Sequence, residues 1–166
     1  MQIIFYLVWL CLLVVLQPTL GRGIEVWGIA PNLFLCFVVL AGFFRGKMEG
    51  AISGCIFGLM YDILIGRMIG VNSLIYLYVG LGAGILSEHF FGGGKRVTAS
   101  IATMVATLLS AVIYYFARRV VHGDIGFLVA FFRISVPEAI YNLVICFLLS
   151  FPVVGTMKLL RIKRIH

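Results

Sequence analysis

The sequence predicts an all-α polytopic membrane protein with about six transmembrane helices in a single domain covering residues 1–166, and three observations support this. The chain is 63% hydrophobic and 11% charged, whereas soluble domains carry about 25% charged residues. The apolar residues form runs close to the roughly 20 that a spanning helix needs. Lys and Arg lie mainly at the ends of these runs, where they anchor helices in a membrane.

The elements follow from where each apolar run begins and ends. The predicted spans are residues 3–21, 28–44, 49–66, 71–90, 97–117 and 136–157. Span 1 ends before Arg22. The residues that mark the start and the end of the other five are, in order, Pro31-Asn32 and Arg45, Lys47 and Arg67, Asn72 and Glu88-His89, Lys95-Arg96 and Arg118-Arg119, and Ser135 and Lys158. Residues 120–134 contain too short an apolar run to cross and are predicted to be interfacial or re-entrant.

Orientation follows from the positive-inside rule. With both termini cytoplasmic, eight Lys and Arg lie inside and five outside, because Arg22, Arg67, Arg118, Arg119 and Arg133 fall on the outer side. We therefore predict that both termini are cytoplasmic. The net charge of +7 is interpreted as membrane anchoring and not as nucleic-acid binding.

A four-residue repeat marks the third span, around which we expect the chain to be organised. Its positions are Gly50, Gly54, Gly58, Asp62, Gly66 and Gly70. Residues four apart share a helix face, and small residues let membrane helices approach closely. The repeat predicts a flush helix contact, either within the protein or with a partner. Alternatively, Gly66 and Gly70 form only the turn that follows.

Several polar side chains fall at similar predicted depths near the outer surface. We hypothesise an intramembrane cluster of Asp62, Asn72, Arg118, Arg119, Glu138 and Asn142. A carboxylate in a span is costly and is a functional candidate by default. For Asp62, a purely structural hydrogen bond or ion pair is an equal alternative. Glu138 could instead complete a capping box with Ser135, and Asn142 could simply bond between helices.

Motifs for catalysis and metal binding are absent from the sequence. The four cysteines lie singly within apolar runs, with no Cys/His ligand spacing. There is no nucleophile elbow, and Gly92-Gly93-Gly94-Lys95 lacks the length and hydroxyl of a phosphate loop. We expect a protein that is not an enzyme and uses no cofactor and no metal.

Several short motifs recur through the middle of the chain. They are Pro31-Asn32-Leu33, Arg45-Gly46, Gly50, Phe57 and the pattern Gly58-Leu59-x-x-Asp62-x-x-x-Gly66-x-x-x-Gly70-x-Asn72-x-Leu74, with Tyr141-Asn142 further along. In these residues, and most specifically over residues 28–84, the chain resembles the rod shape-determining MreD family. The resemblance implies a bacterial inner-membrane component of the cell-elongation machinery. It also implies a fold like the substrate-binding subunits of energy-coupling-factor transporters, and roles for Gly58, Asp62, Gly66 and Gly70.

The resemblance further implies particular partners. These are an MreC-like single-span protein and, through it, a peptidoglycan glycosyltransferase with its transpeptidase and the actin-like MreB filament. The sequence thus supports a non-catalytic scaffold that helps organise peptidoglycan synthesis and cell shape. The alternative is a vitamin-like small-solute binding subunit of a transporter, with a cavity lined by Asp62, Asn72 and Asn142.

Overall fold

The computed structural model describes residues 2–23, 29–65, 70–89, 94–122 and 134–159. These residues form six α-helices, five of which are long and apolar enough to cross a membrane. Their bounds are α1 Gln2–Gly23, α2 Leu33–Arg45, α3 Lys47–Ile65, α4 Val71–His89, α5 Lys95–His122 and α6 Val136–Leu159. The prediction of a helical multi-pass membrane protein is confirmed.

The second predicted span, residues 28–44, differs in kind from the other five. Helix α2 has only 13 residues, about 20 Å at the usual helical rise, against a hydrocarbon core of roughly 30 Å. The residues before it are not helical, and Asn32 has an extended backbone with φ −99° and ψ 90°. Pro31 contributes, because proline keeps the preceding residue out of the helical region. Among the described residues, the prediction of about six spanning helices is thus corrected to five, with one short helix in place of the second span.

The prediction for residues 120–134 is also corrected in part. Helix α5 has 28 residues and continues to His122, so residues 120–122 extend this helix past its predicted end at 117. The rest of that predicted interfacial or re-entrant segment, residues 123–133, lies outside the described residues.

Helix α2 is the centre of the bundle. All 13 of its residues are buried, including Arg45 at its last position, and it packs against α1, α3, α4, α5 and α6. A helix that is apolar all round is typically enclosed by other elements. The expectation that the chain is organised around the glycine repeat of α3 is therefore corrected, since the enclosed helix is α2.

An aromatic cluster attaches α1 to this centre. Phe37 of α2 stacks on Trp9 of α1 at 5.3 Å and on Phe57 of α3 at 4.7 Å between ring centroids. Phe5, Trp9 and Leu13 are buried at a spacing of four residues, which places them on one face of α1. The opposite face is exposed and apolar, with Leu7 and Val8 each 54% exposed. Such a surface suits lipid.

Candidate functional site

The glycine repeat of α3 packs against α4. A Cβ on Gly50 would meet Gly80 O, one on Gly54 would meet Tyr76 O, and one on Gly58 would meet Asn72 O at 2.6 Å. Each step of four residues along α3 is matched by a step of four back along α4, so the two helices are antiparallel in one fixed register. The flush contact lies within the chain, and this face of α3 is occupied by α4.

The remaining repeat positions have other surroundings. Gly70 stands at the turn before α4 with φ +99° and open space around it, a backbone conformation that glycine adopts without strain. Gly66 lies outside the described residues. Gly84 of α4 extends the contact past Gly50, because a Cβ there would meet the backbone of Lys47.

Asp62 caps the start of α4. Its Oδ2 accepts hydrogen bonds from the N–H of Gly70 at 2.8 Å and of Ser73 at 3.2 Å. Its Oδ1 accepts from the N–H of Asn72 at 3.3 Å and from Asn72 Nδ2 at 2.6 Å. The first N–H groups of a helix lack intrahelical partners, and a carboxylate at that end also interacts favourably with the helix dipole. Asp62 is 1% exposed and fully used by these bonds.

A second polar junction surrounds the start of α2. Asn32 is its N-cap, with Oδ1 accepting from Leu35 N at 3.1 Å. Asn142 Oδ1 of α6 accepts from Asn32 N at 2.7 Å. Gln17 of α1 accepts from Leu33 N and donates to Pro31 O, both at 2.9 Å. Non-helical backbone at membrane depth is tolerated where protein satisfies its polar groups, and these three amides do so.

This junction continues into α4 and α5. Asn32 Nδ2 donates to Tyr76 Oη at 2.5 Å, and Asn142 Nδ2 donates to Thr107 Oγ1 at 3.0 Å. One turn further along α6, Cys146 Sγ accepts from Thr103 Oγ1 at 3.1 Å. Through Asn32 and Asn142, hydrogen bonds therefore join α2, α4, α5 and α6 in the interior.

An ion pair of a buried arginine and a partly exposed glutamate lies at the opposite end of α2. Arg45 Nε and Nη2 donate to the two oxygens of Glu49 at 2.6 and 2.5 Å, and Tyr6 Oη of α1 donates to Glu49 Oε2 at 2.7 Å. The Arg45 side chain is 1% exposed, so it is not the membrane-surface anchor that its place at the end of an apolar run predicts. Gly46, with φ 95°, joins α2 directly to α3 and brings the two charged residues together.

The structure divides the hypothesised polar cluster into separate groups. Asp62 and Asn72 bond to each other, whereas Asn142 belongs to the α2 junction. Glu138 lies in the first turn of α6, and within the described ranges its side chain makes neither the capping-box bond nor any other hydrogen bond. The side chains of Arg118 and Arg119 lie outside the described residues.

Sequence reasoning missed several residues of these junctions, although some carried a signal. Asn32, after a proline and before an apolar run, has the sequence pattern of an N-cap. Arg45 and Glu49 have the four-residue spacing of a helical ion pair. For Gln17, Tyr76 and Thr107 no local signal exists, because their partners are distant in sequence.

The chemistry of these groups is structural. Among the described residues no three His, Cys, Asp or Glu side chains are grouped closely enough to hold a metal ion. In the same ranges, each fully buried side-chain nitrogen or oxygen has a hydrogen-bond partner. The junctions fix helix ends and helix register, which is what buried, fully paired polar groups do in low dielectric.

Together these features define a class: a multi-pass helical membrane protein built around a short enclosed helix, with interior polar groups that bond to one another. The chain belongs to the MreD family, whose family model, described as rod shape-determining protein MreD, matches residues 1–161. Residues 162–166 alone lie outside that match. No curated protein and no solved structure matched the chain.

Proposed function

We propose that this protein is a non-catalytic scaffold of the rod-shape and cell-elongation complex in the bacterial inner membrane, with both termini cytoplasmic. In this proposal it binds an MreC-like single-span protein. Through that partner it helps to organise a glycosyltransferase and transpeptidase pair for peptidoglycan synthesis and is linked to MreB. Membership of a rod shape-determining family supports this role.

The observation that carries the scaffold role is the complete internal pairing of the buried polar atoms in the described part of the chain. Asp62, Asn72 and Asn142 would line the cavity of a solute-binding subunit. Their side chains instead bond to each other, to helix N-termini and to Thr107. A bound solute would have to break these hydrogen bonds. This favours the scaffold over the transporter alternative, even if the fold is like that of energy-coupling-factor subunits.

The glycine face of α3 is occupied by α4, so we propose that a partner docks on the outer, apolar faces of the bundle. A bulky residue at Gly54 or Gly58 would then weaken the complex by disturbing the fold, not by blocking the partner. Exposed positions available for docking include Leu7, Ile56, Ile101 and Leu148, each 51–57% exposed.

The test is site-specific photocrosslinking in living rod-shaped cells, with a photoreactive residue at each of those four exposed positions and at Gly54 as the buried control. A scaffold should crosslink to the single-span protein from one or two neighbouring faces, and depletion of the protein should make rods round. Absence of that adduct from all four faces, together with normal cell shape on depletion, would refute the proposal.

A further inference from the structure

The starts of α1, α3 and α5 and the ends of α2, α4 and α6 lie at one end of the bundle. Tyr6 of α1 bonds to Glu49 near the start of α3, and Trp9, one turn further, bonds to Thr156 near the end of α6. Helix α5 starts at this end because it runs antiparallel to α6, and α4 ends there because it runs antiparallel to α3. We call it the basic end, after the five Lys and Arg that the six helices place there: Arg45, Lys47, Lys95, Arg96 and Lys158.

The carboxylates at the basic end are already paired. Glu49 bonds to Arg45, and Glu88 Oε1 lies 3.4 Å from Lys47 Nζ. The other four acids of the chain belong to helix turns at the opposite end of the bundle or follow such turns within two residues: Glu25, Asp62, Asp124 and Glu138. They are too far along the helices to neutralise charge at the basic end.

Three cations of the basic end therefore have no carboxylate side chain as a partner: Lys95, Arg96 and Lys158. Neither ion pair of the described residues includes them. The adjoining stretches outside the described residues, 90–93 and 160–166, contain no Asp or Glu. The Arg96 guanidinium lies over the ring of Phe151 in α6, 4.5 Å from its centroid, a contact that holds a cation without accepting its hydrogen bonds. Its five N–H donors have no acceptor within the described ranges.

Open space lies beside Arg96 on the outer face of α6. Phe151, Gly155 and Lys158 are exposed and stand three or four residues apart, so they share this face. A Cβ added at Gly155 would meet nothing within 4 Å. A helical side chain covers the turn on the N-terminal side of its own Cα, so Lys158 extends over Gly155. The open space is thus bounded by two unpaired cations, Arg96 on the ring of Phe151 and Lys158 one turn beyond Gly155.

We propose that this space binds the phosphate of an anionic phospholipid, held by Arg96 and Lys158. Basic sites between the ends of membrane helices recognise such headgroups, and a guanidinium can donate two parallel N–H bonds to a phosphate. The face continues towards the middle of the span with exposed apolar side chains, among them Phe147 and Val144, which are 38% and 51% exposed. Acyl chains attached to the phosphate would lie along this surface, which a soluble phosphate would not use. The inference does not depend on the proposed scaffold function.

The experiment is native mass spectrometry of the full-length protein, released from micelles that contain equal amounts of phosphatidylglycerol and phosphatidylcholine. We expect the wild-type chain to retain one phosphatidylglycerol in preference to phosphatidylcholine. Arg96→Gln and Lys158→Gln should each weaken its Kd about fivefold, and the double variant about 25-fold. Lys47→Gln is the matched control, because it removes one positive charge from the same end at a residue that is paired with Glu88. It should change the Kd less than about twofold.

A second pair of variants tests the shape of the site without changing its charge. Gly155→Leu fills the open space and should weaken the Kd for phosphatidylglycerol at least about fivefold, as the loss of one cation does. Gly82→Leu is its control, because Gly82 is also exposed and a Cβ there would meet nothing within 4 Å. Protection of the buried thiols Cys36 and Cys146 from maleimide shows that each variant is folded.

Three results would overturn the lipid site. Equal weakening by Lys47→Gln and Arg96→Gln would mean a general attraction between charged surfaces. Equal retention of the two lipids by the wild-type chain would mean that the headgroup charge is not recognised. Displacement of phosphatidylglycerol by an equal concentration of glycerol phosphate would identify a soluble phosphate ester as the ligand. Because no partner protein is present in these measurements, none of the three bears on the scaffold function.

Discussion

Replacing Gly54 by alanine tests the packing between α3 and α4. A Cβ at Gly54 would meet the backbone of α4, with Tyr76 C at 2.5 Å and Leu77 N at 2.8 Å. Ordinary contact begins at 3.4 Å, so the two backbones must separate by at least 0.9 Å, the difference between 3.4 and the 2.5 Å to Tyr76 C, and Tyr76 O is closer still. Backbone atoms cannot rotate away as a side chain does, and the whole helix must move.

The expected cost combines two opposing effects. Overpacking a tight interface costs about 1–3 kcal/mol, while Gly→Ala inside a helix returns roughly 0.5–1 kcal/mol. Gly82 of α4 is the matched control, because a Cβ there meets nothing within 4 Å. The difference between Gly54→Ala and Gly82→Ala isolates the clash, and we expect about 1–3 kcal/mol, or roughly 5- to 150-fold in the unfolding equilibrium.

The measurement is equilibrium unfolding in mixed micelles, read by maleimide labelling of the buried Cys36 and Cys146. The exposed Cys11 and Cys55 are first replaced by serine, so that labelling reports the interior alone. If Gly54→Ala and Gly82→Ala unfold at the same detergent fraction, the register of α3 against α4 described above is refuted.

Three further substitutions probe the polar junctions in the same assay. Asp62→Ala leaves the N–H groups at the start of α4 unpaired and should lower the free energy of unfolding by roughly 1–3 kcal/mol. A double-mutant cycle with Asn72→Ala should give a coupling energy of roughly 0.5–3 kcal/mol. Additive effects of the two substitutions would contradict the hydrogen bond between Asp62 and Asn72. Arg45→Met removes the partner of the Glu49 carboxylate, which is 23% exposed and keeps its bond from Tyr6, and should cost roughly 1–3 kcal/mol. Adding Glu49→Leu should recover part of that loss, and no recovery would argue against the ion pair. Asn142→Leu leaves an amide at the start of α2 without its acceptor and should cost roughly 1–3 kcal/mol, and a neutral result would exclude that bond.

The sequence predicted the five long helices well because their signal is local. A spanning helix is recognised from some 20 consecutive apolar residues, and the four-residue repeat of Gly50, Gly54 and Gly58 identifies a close contact in the same way. What the repeat cannot identify is the neighbour. Any helix backbone can pack against a face of glycines. The glycine face of α3 meets α4 because a short connection joins these two helices.

The central position of α2 could not be read from its residues. In a membrane protein, lipid and protein interior are both apolar, so a run such as Leu33–Phe44 has the same composition in either place. The partners of its N-terminus come from Gln17 and Asn142, the latter 110 residues away in sequence. Arg45 has the position of a surface anchor, and only the chain's return through Gly46 to Glu49 makes it an interior residue.

The enclosure of α2 dictates an order of assembly. Residues 29–45 leave the ribosome early, yet the amide oxygen that accepts from Asn32 belongs to residue 142 and is made among the last. Until α6 enters the bilayer, the N–H of Asn32 lacks the acceptor that α6 provides, and hydrocarbon offers no other acceptor. Helix α2 therefore cannot complete the hydrogen bonds at its start until α6 has been made and inserted.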